Sequence, residues 1–175
     1  MQPVNLKNLV RDIPDFPKPG IVFKDIVPLL SNPTALRYIV DAMFVHYFGT
    51  RVDLVVSAEA RGFILGPAVA YHLGAGFVPV RKPGKLPFKT KSVTYDLEYG
   101  KDTLTIHEDA IKPGDHVLLI DDLLATGGTM VASAKLVEGL GGVVIGCGFI
   151  IELDFLKGRE RLAPYDVHSL IRYPD

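Results

Sequence analysis

The 175-residue chain is long enough for one domain with a substantial core, and 48% hydrophobic against 22% charged residues is ordinary globular composition. Nineteen basic against 20 acidic residues give a formal net charge of -1, so there is no electrostatic case for non-specific nucleic-acid binding, which needs a clustered basic surface. One cysteine, Cys147, excludes an intramolecular disulfide, and no apolar run reaches the ~20 residues that span a bilayer.

The N-terminal "MQPVNLKNLVRDIPDF" carries no secretion signature, so the expectation is a soluble cytoplasmic protein with neither a membrane nor a nucleic-acid partner. Residues 6–12 suggest a short helix, stopped by the prolines and Gly20 of "DIPDFPKPG". "IVFKDIVPLL" reads as a short extended segment. "NPTALRYIVDAMFVHYF" is a predicted helix with Asn32 as N-cap and Pro33 in its first turn. "VDLVVS" is apolar on both faces, as a central parallel strand should be. The loop "AEARG" and the helix "FILGPAVAYHLG" follow, then the strand "GFVPVRK".

Residues 83–92 are basic, broken by proline and glycine, and read as a loop. "VTYDLEYG" and "DTLTIHED" alternate in character and suggest a hairpin over 93–107. Alternation places Val93, Tyr95, Leu97 and Tyr99 on one face and Thr94, Asp96 and Glu98 on the other. "PGDHVLLIDD" is a turn and a buried strand ending at the aspartates. Residues 128–140 are helical, and "VVIGCGFIIEL" is the last long strand. Strands alternating with helices predict an α/β fold with a mostly parallel central sheet. In such sheets ligands bind beyond the carboxyl ends of the strands, so the junctions at 57–62 and 121–129 should face one crevice.

The stretch "VLLIDDLLATGGT" carries the most chemistry. Four apolar residues lead into Asp121 and Asp122, and burying either carboxylate without a partner is costly. Both therefore need solvent, a ligand hydroxyl or a metal. "ATGGT" then offers backbone N–H groups at a helix N-terminus, with glycines that allow close approach and two threonine hydroxyls. Carboxylates against sugar hydroxyls and a loop against a phosphate together fit a sugar phosphate. The bland alternative is a strand-to-helix turn with solvated caps. A P-loop is excluded because G-x-x-x-x-G-K-[ST] does not occur, and no G-x-G-x-x-G follows a strand. His107-Glu108 has no second histidine at zincin spacing, so no protein metal site is expected.

The same stretch resembles the phosphoribosyl-pyrophosphate (PRPP) motif of the type I phosphoribosyltransferases. "DFPKPGIVFKDI", "EARGF", "RKPGKLP", "YDLEYGKD" and "LKGRERLAP" resemble, in that order, the adenine-specific branch of that family. The resemblance implies a single domain over 1–175, with an N-terminal hood at 1–32 that recognises the base and a mobile catalytic loop at 83–107. It implies conversion of Mg-PRPP and adenine to AMP and pyrophosphate in purine salvage, with Mg²⁺ carried mainly by PRPP, and a homodimer.

By that resemblance Asp121 and Asp122 hold the ribose hydroxyls, and Ala125, Thr126, Gly127, Gly128 and Thr129 cradle the 5′-phosphate. Arg61 binds pyrophosphate beside a non-proline cis peptide near Glu59–Ala60. Arg81, Lys82 and Lys85 also reach pyrophosphate, Arg81 across the dimer interface. Phe23 stacks on adenine while backbone groups of Val22 and Lys24 read its edge. Glu98 and Tyr99 close over the reacting base, Glu98 as the candidate for handling the adenine proton. Two alternatives stay open: a phosphoribosyltransferase for another base, and a PRPP- or purine-sensing regulator on the same fold.

Overall fold

The structure, a computed structural model, describes residues 5–96 and 100–175. Its centre is a five-stranded parallel sheet of order β4-β3-β7-β8-β9, built from β3 (Leu54–Ala58), β4 (Gly76–Val80), β7 (His116–Leu124), β8 (Val143–Leu153) and β9 (Asp166–Tyr173). Helices α2 (Pro33–Tyr47) and α3 (Gly62–Leu73) cover one face, and α4 (Gly128–Gly139) covers the other. Because β7 has both faces covered, its side chains alternate between two cores. Leu118 and Ile120 join the α2/α3 side, while Val117 and Leu119 join the α4 side.

From β3 the chain crosses over α3 to β4 on one side, and from β7 it crosses over α4 to β8 on the other. The direction of winding therefore reverses between β3 and β7, and a crevice opens there. Pairing of β3 with β7 runs only from Leu54↔Val117 to Val56↔Leu119. Beyond that point β7 continues with β8 alone, so its β3 side is open from Ile120 onward.

Asn32 caps α2: its Oδ1 accepts from the amides of Thr34 and Ala35, both at 3.0 Å. The helix then buries Ala35, Ile39, Met43 and Tyr47, an i, i+4 stripe. Asn32→Ala should cost about 1 kcal/mol and lower Tm by about 2–4 °C, read from thermal unfolding. Cys147 is fully buried, and burial pushes its thiol up to about 12, as expected for inert packing.

Five expectations are corrected. Residues 6–12 are not one helix: a 3₁₀ turn covers Leu6–Leu9, and Arg11–Pro14 is strand β1. It pairs with β2 (Val22–Asp25) through cross-strand charges, Arg11 with Asp25 and Lys24 with Asp12, which leave no apolar alternation to read. The extended segment 21–30 closes after β2 into the short helix α1 (Val27–Leu30), whose first amide donates to Asp25 Oδ1. The hairpin, β5 (Thr90–Asp96) with β6 (Lys101–His107), begins three residues early, in the exposed polar run Thr90–Ser92. Strand β7 does not end at the aspartates: β8 is long enough to pair it through Leu124. Strand β9, missed in the sequence because "DVHSLIRY" is half polar, closes the sheet edge beside β8.

Candidate active site at the switch point

The crevice is walled by two strand-to-helix junctions. At the first, β3 leads through Glu59 and Ala60 to Arg61 and α3, and the Glu59–Ala60 peptide is cis, as the family resemblance implies. Small residues let α3 approach closely: a Cβ on Gly62 would lie 3.0 Å from Asp121 Oδ1, and one on Gly66 would strike Ser57. At the second junction, β7 leads through Ala125–Gly127 to α4.

Asp122 is 4% exposed, and its Oδ2 lies 2.9 Å from Arg61 Nε, though without hydrogen-bond alignment. Asp121 Oδ1 accepts from the Asp122 amide at 2.9 Å. Burial raises the Asp121 carboxyl well above the usual carboxylate range, and the adjacent Asp122 charge raises it further. Burial also raises Asp122, held back by the Arg61 guanidinium. Two partly desolvated acids with too few donors form a site that an incoming hydroxyl pair or cation would complete.

Gly127 sits at the N-cap of α4 with φ 80°, a left-handed conformation, and no side chain caps the helix. Its first-turn amides are thus open to a ligand anion. Residues 124–130 line a small cavity of ≈ 80 Å³ together with Asp121 and Phe149. Thr129 Oγ1 lies 3.3 Å from the Tyr95 hydroxyl, which ties hairpin strand β5 to this loop.

Arg61 also joins the base-side segment: its guanidinium stands 5.1 Å from the centroid of the Phe23 ring, and Phe16 packs edge-on against the same ring at 5.2 Å. Asp121, Asp122, Arg61, Phe23 and the 125–129 loop are therefore contiguous. The Lys24 ammonium points elsewhere, to Asp12 at 2.8 Å and over the Tyr173 ring at 4.2 Å, which leaves only its backbone for the crevice. Val22 is exposed at the start of β2.

Arg81 and Lys82 converge on the first junction. Arg81 Nη2 meets Glu59 Oε2 at 2.9 Å, and the Lys82 amide donates to Glu59 Oε1 at 2.6 Å. The Lys82 amide and the Arg81 guanidinium outweigh burial and hold the Glu59 carboxyl below its ordinary range. The Lys82 ammonium pairs with Asp102 at 3.2 Å, and Lys85 is exposed. Glu98 and Tyr99 lie outside the described residues. Among the described residues no group of three His, Cys, Asp or Glu side chains is arranged to hold a metal, and no helix is long and apolar enough to cross a membrane.

Sequence reasoning missed Glu59 as the clasp for Arg81, Tyr95 as the partner of Thr129, and the packing of residues 158–161 on the 125–127 loop. Tyr95 was legible as a face of the hairpin but not as a neighbour of α4. The others are pairings between distant segments that no spacing announces.

The family model of the phosphoribosyl transferase domain matches residues 29–171. With its parallel five-stranded sheet and paired switch-point loops, the chain has the type I phosphoribosyltransferase fold and belongs to that family of pentosyltransferases. It is 62% identical to the adenine phosphoribosyltransferase of Acidobacterium capsulatum, over 97% of this chain and 94% of that one. Among solved structures it resembles the adenine phosphoribosyltransferase of Thermoanaerobacter pseudethanolicus, with TM-score 0.93 and 54% identity over 96% of this chain and 98% of the other. The Saccharomyces cerevisiae enzyme, solved with adenine and an imino-altritol bisphosphate, matches with TM-score 0.90 and 42% identity over 94% and 96%.

Proposed function

We propose that the protein transfers the phosphoribosyl group of Mg-PRPP to adenine, giving AMP and pyrophosphate in purine salvage. One observation carries this reading: Arg61 links the Asp121–Asp122 pair to the Phe23 ring at the mouth of an open helix N-terminus. That arrangement supplies, in order, a base platform, an anion-binding guanidinium, a ribose clamp and a phosphate cradle.

In the reaction the C1′–O bond to pyrophosphate breaks, pyrophosphate keeps the electron pair, the C1′–N9 bond forms, and the N9 proton is lost. The anomeric carbon passes through oxocarbenium character, as in glycoside cleavage. Asp121 and Asp122 hold the ribose hydroxyls, and Ala125–Thr129 hold the 5′-phosphate at the start of α4. Arg61, with Arg81, Lys82 and Lys85, receives the pyrophosphate. Hard carboxylate oxygens suit Mg²⁺, which keeps most of its waters and prefers substrate phosphates to an all-protein cage. Carried by PRPP, it would neutralise charge on the leaving diphosphate, and Asp121 and Asp122 are the carboxylates that would help hold it.

The edge of β2 not paired with β1 reads the adenine edge through the backbone of Val22 and Lys24. Adenine presents an N6 donor and an N1 acceptor, and hypoxanthine reverses this, so the wrong base leaves polar groups unpaired. The 1–32 segment serves as the hood and 83–107 as the closing loop, with Glu98 and Tyr99 over the base. A homodimer is supported by the exposed apolar side chains Val45 on α2, Phe48 at its C-cap and Tyr71 on α3. The cytoplasm is the proposed location.

Phe23→Ala tests the base platform. It should raise KM for adenine about tenfold, the loss expected of one stacked aromatic, and leave KM for PRPP within about twofold. Unchanged KM for adenine would remove Phe23 from the base site.

A further inference from the structure

Behind the 125–129 loop lies a segment that the reaction scheme does not use. Lys157 turns the chain with φ 55°, and a 3₁₀ turn over Gly158–Leu162 packs on the back of the loop. A Cβ on Gly158 would run into the Ala125 carbonyl oxygen, and a Cβ on Gly127 would lie 2.9 Å from the Gly158 carbonyl oxygen. Arg161 Nη1 donates to the Thr126 carbonyl at 3.2 Å. Each of Ala125, Thr126 and Gly127 is therefore touched from behind by residues 158–161.

This turn is fixed to the sheet at two points. Leu162 is fully buried in the α4-side core. Arg159 forks onto Glu152, with Nε to Oε1 at 2.8 Å and Nη2 to Oε2, while Nη1 donates to the Val167 carbonyl at 2.7 Å. Glu152 is 2% exposed and stands at the carboxyl end of β8, opposite Leu124 of β7 in register. Arg172 adds a weaker contact to Glu152 Oε2 at 3.7 Å and pairs with Asp154. An open cavity of ≈ 550 Å³ between residues 152–172 flanks the turn, so little packing restrains it on that side.

Glu152 is buried while Arg159 stays half-exposed, and such a pair is weak evidence for stability because desolvation offsets its attraction, but a bidentate fork admits one geometry. We propose that Glu152, Arg159 and Gly158 are positioning residues for the 5′-phosphate: the fork sets the Gly158–Leu162 turn, and the turn sets the backbone of Ala125–Gly127 from which phosphate is bound. The inference rests on reading 125–129 as the phosphate loop. No substrate contact is assigned to these residues; their effect runs through the loop's shape, where a displacement of about 1 Å is costly.

The test uses the full-length protein and calorimetric Kd values for ribose 5-phosphate and for pyrophosphate with Mg²⁺, alongside KM for adenine. Gly158→Ala and Arg159→Met should weaken ribose 5-phosphate about tenfold and change pyrophosphate and adenine by less than about twofold. Arg159→Lys, which keeps the charge but not the fork, should recover part of the loss. It also keeps the proposal testable should Arg159→Met fail to fold. Thr129→Val, in the first turn of α4 at the same proposed phosphate site, is measured beside them. If Thr129→Val weakens ribose 5-phosphate and the Gly158 and Arg159 variants do not, the positioning role is wrong and the phosphate loop stands. If none of the variants alters ribose 5-phosphate, both readings fall. Equal weakening of all three ligands would mark general damage and also overturn the proposal.

Discussion

Asp121→Asn should lower kcat/KM for PRPP about tenfold to a hundredfold and, in the same protein, raise the melting temperature of the ligand-free form at neutral pH. The activity loss follows from exchanging the charge-assisted hydrogen bond proposed between Asp121 and a ribose hydroxyl for a neutral one. The stability gain follows from the environment of the pair. Burial and the neighbouring Asp122 raise the Asp121 carboxyl well above its ordinary range in the folded state. A raised folded-state value means that protonation favours the fold. The penalty is absent below about pH 3.9, where the unfolded carboxyl is also protonated, and grows as pH rises toward the folded value. Asn removes the ionisation but keeps an Oδ1 that accepts from the Asp122 amide. Melting curves of both proteins from pH 4 to 8 should diverge as pH rises. A mutant that melts lower throughout would show that the carboxylate is structural rather than held for a ligand.

The second large effect is on stability and reaches the site indirectly. Phe149 is 1% exposed, pairs in register with Asp121 from β8, and lines the cavity under residues 125–129, the proposed phosphate site. Phe149→Ala deletes a large core side chain and leaves a void next to an existing cavity, so relaxation is limited. The cost should be about 3–5 kcal/mol, and Tm should fall by about 10 °C. KM for PRPP should rise with it, since the loop loses its floor. Saturating Mg-PRPP should recover part of the loss, about 2.7 kcal/mol at a hundredfold excess over Kd. A loss under about 1 kcal/mol in thermal or urea unfolding would place Phe149 outside the supporting core.

The central strands were legible in the sequence because burial on both faces writes continuous apolar runs. "LVVS" of "VDLVVS", and all of "HVLLI" and "VVIGCGFII", fall in the parallel sheet. The Ala125–Gly127 turn was legible because Ala-Thr-Gly-Gly-Thr breaks the apolar run, although β7 runs on past the aspartates to Leu124. What stayed hidden is held by pairings between distant residues. Strands β1 and β2 depend on Arg11–Asp25 and Lys24–Asp12, and β9 is a half-polar edge that exists because β8 offers it a partner. The clasp of Glu59 on Arg81 joins residues 22 positions apart, and Arg61 meets Phe23 only through the placement of the β1–β2 pair beside the sheet end. Sequence located the two strand-to-helix junctions; the fold supplied which side chains hold them.

The most direct measurement is product formation. Purified protein is incubated with Mg-PRPP and adenine, with hypoxanthine, guanine and xanthine in parallel, and nucleotide and pyrophosphate are quantified together. The account predicts AMP and pyrophosphate in equal amounts from adenine, nothing without PRPP, and negligible product from the other bases. PRPP binding without product from any base would contradict it in favour of a sensor, and efficient product from another base would contradict the adenine assignment.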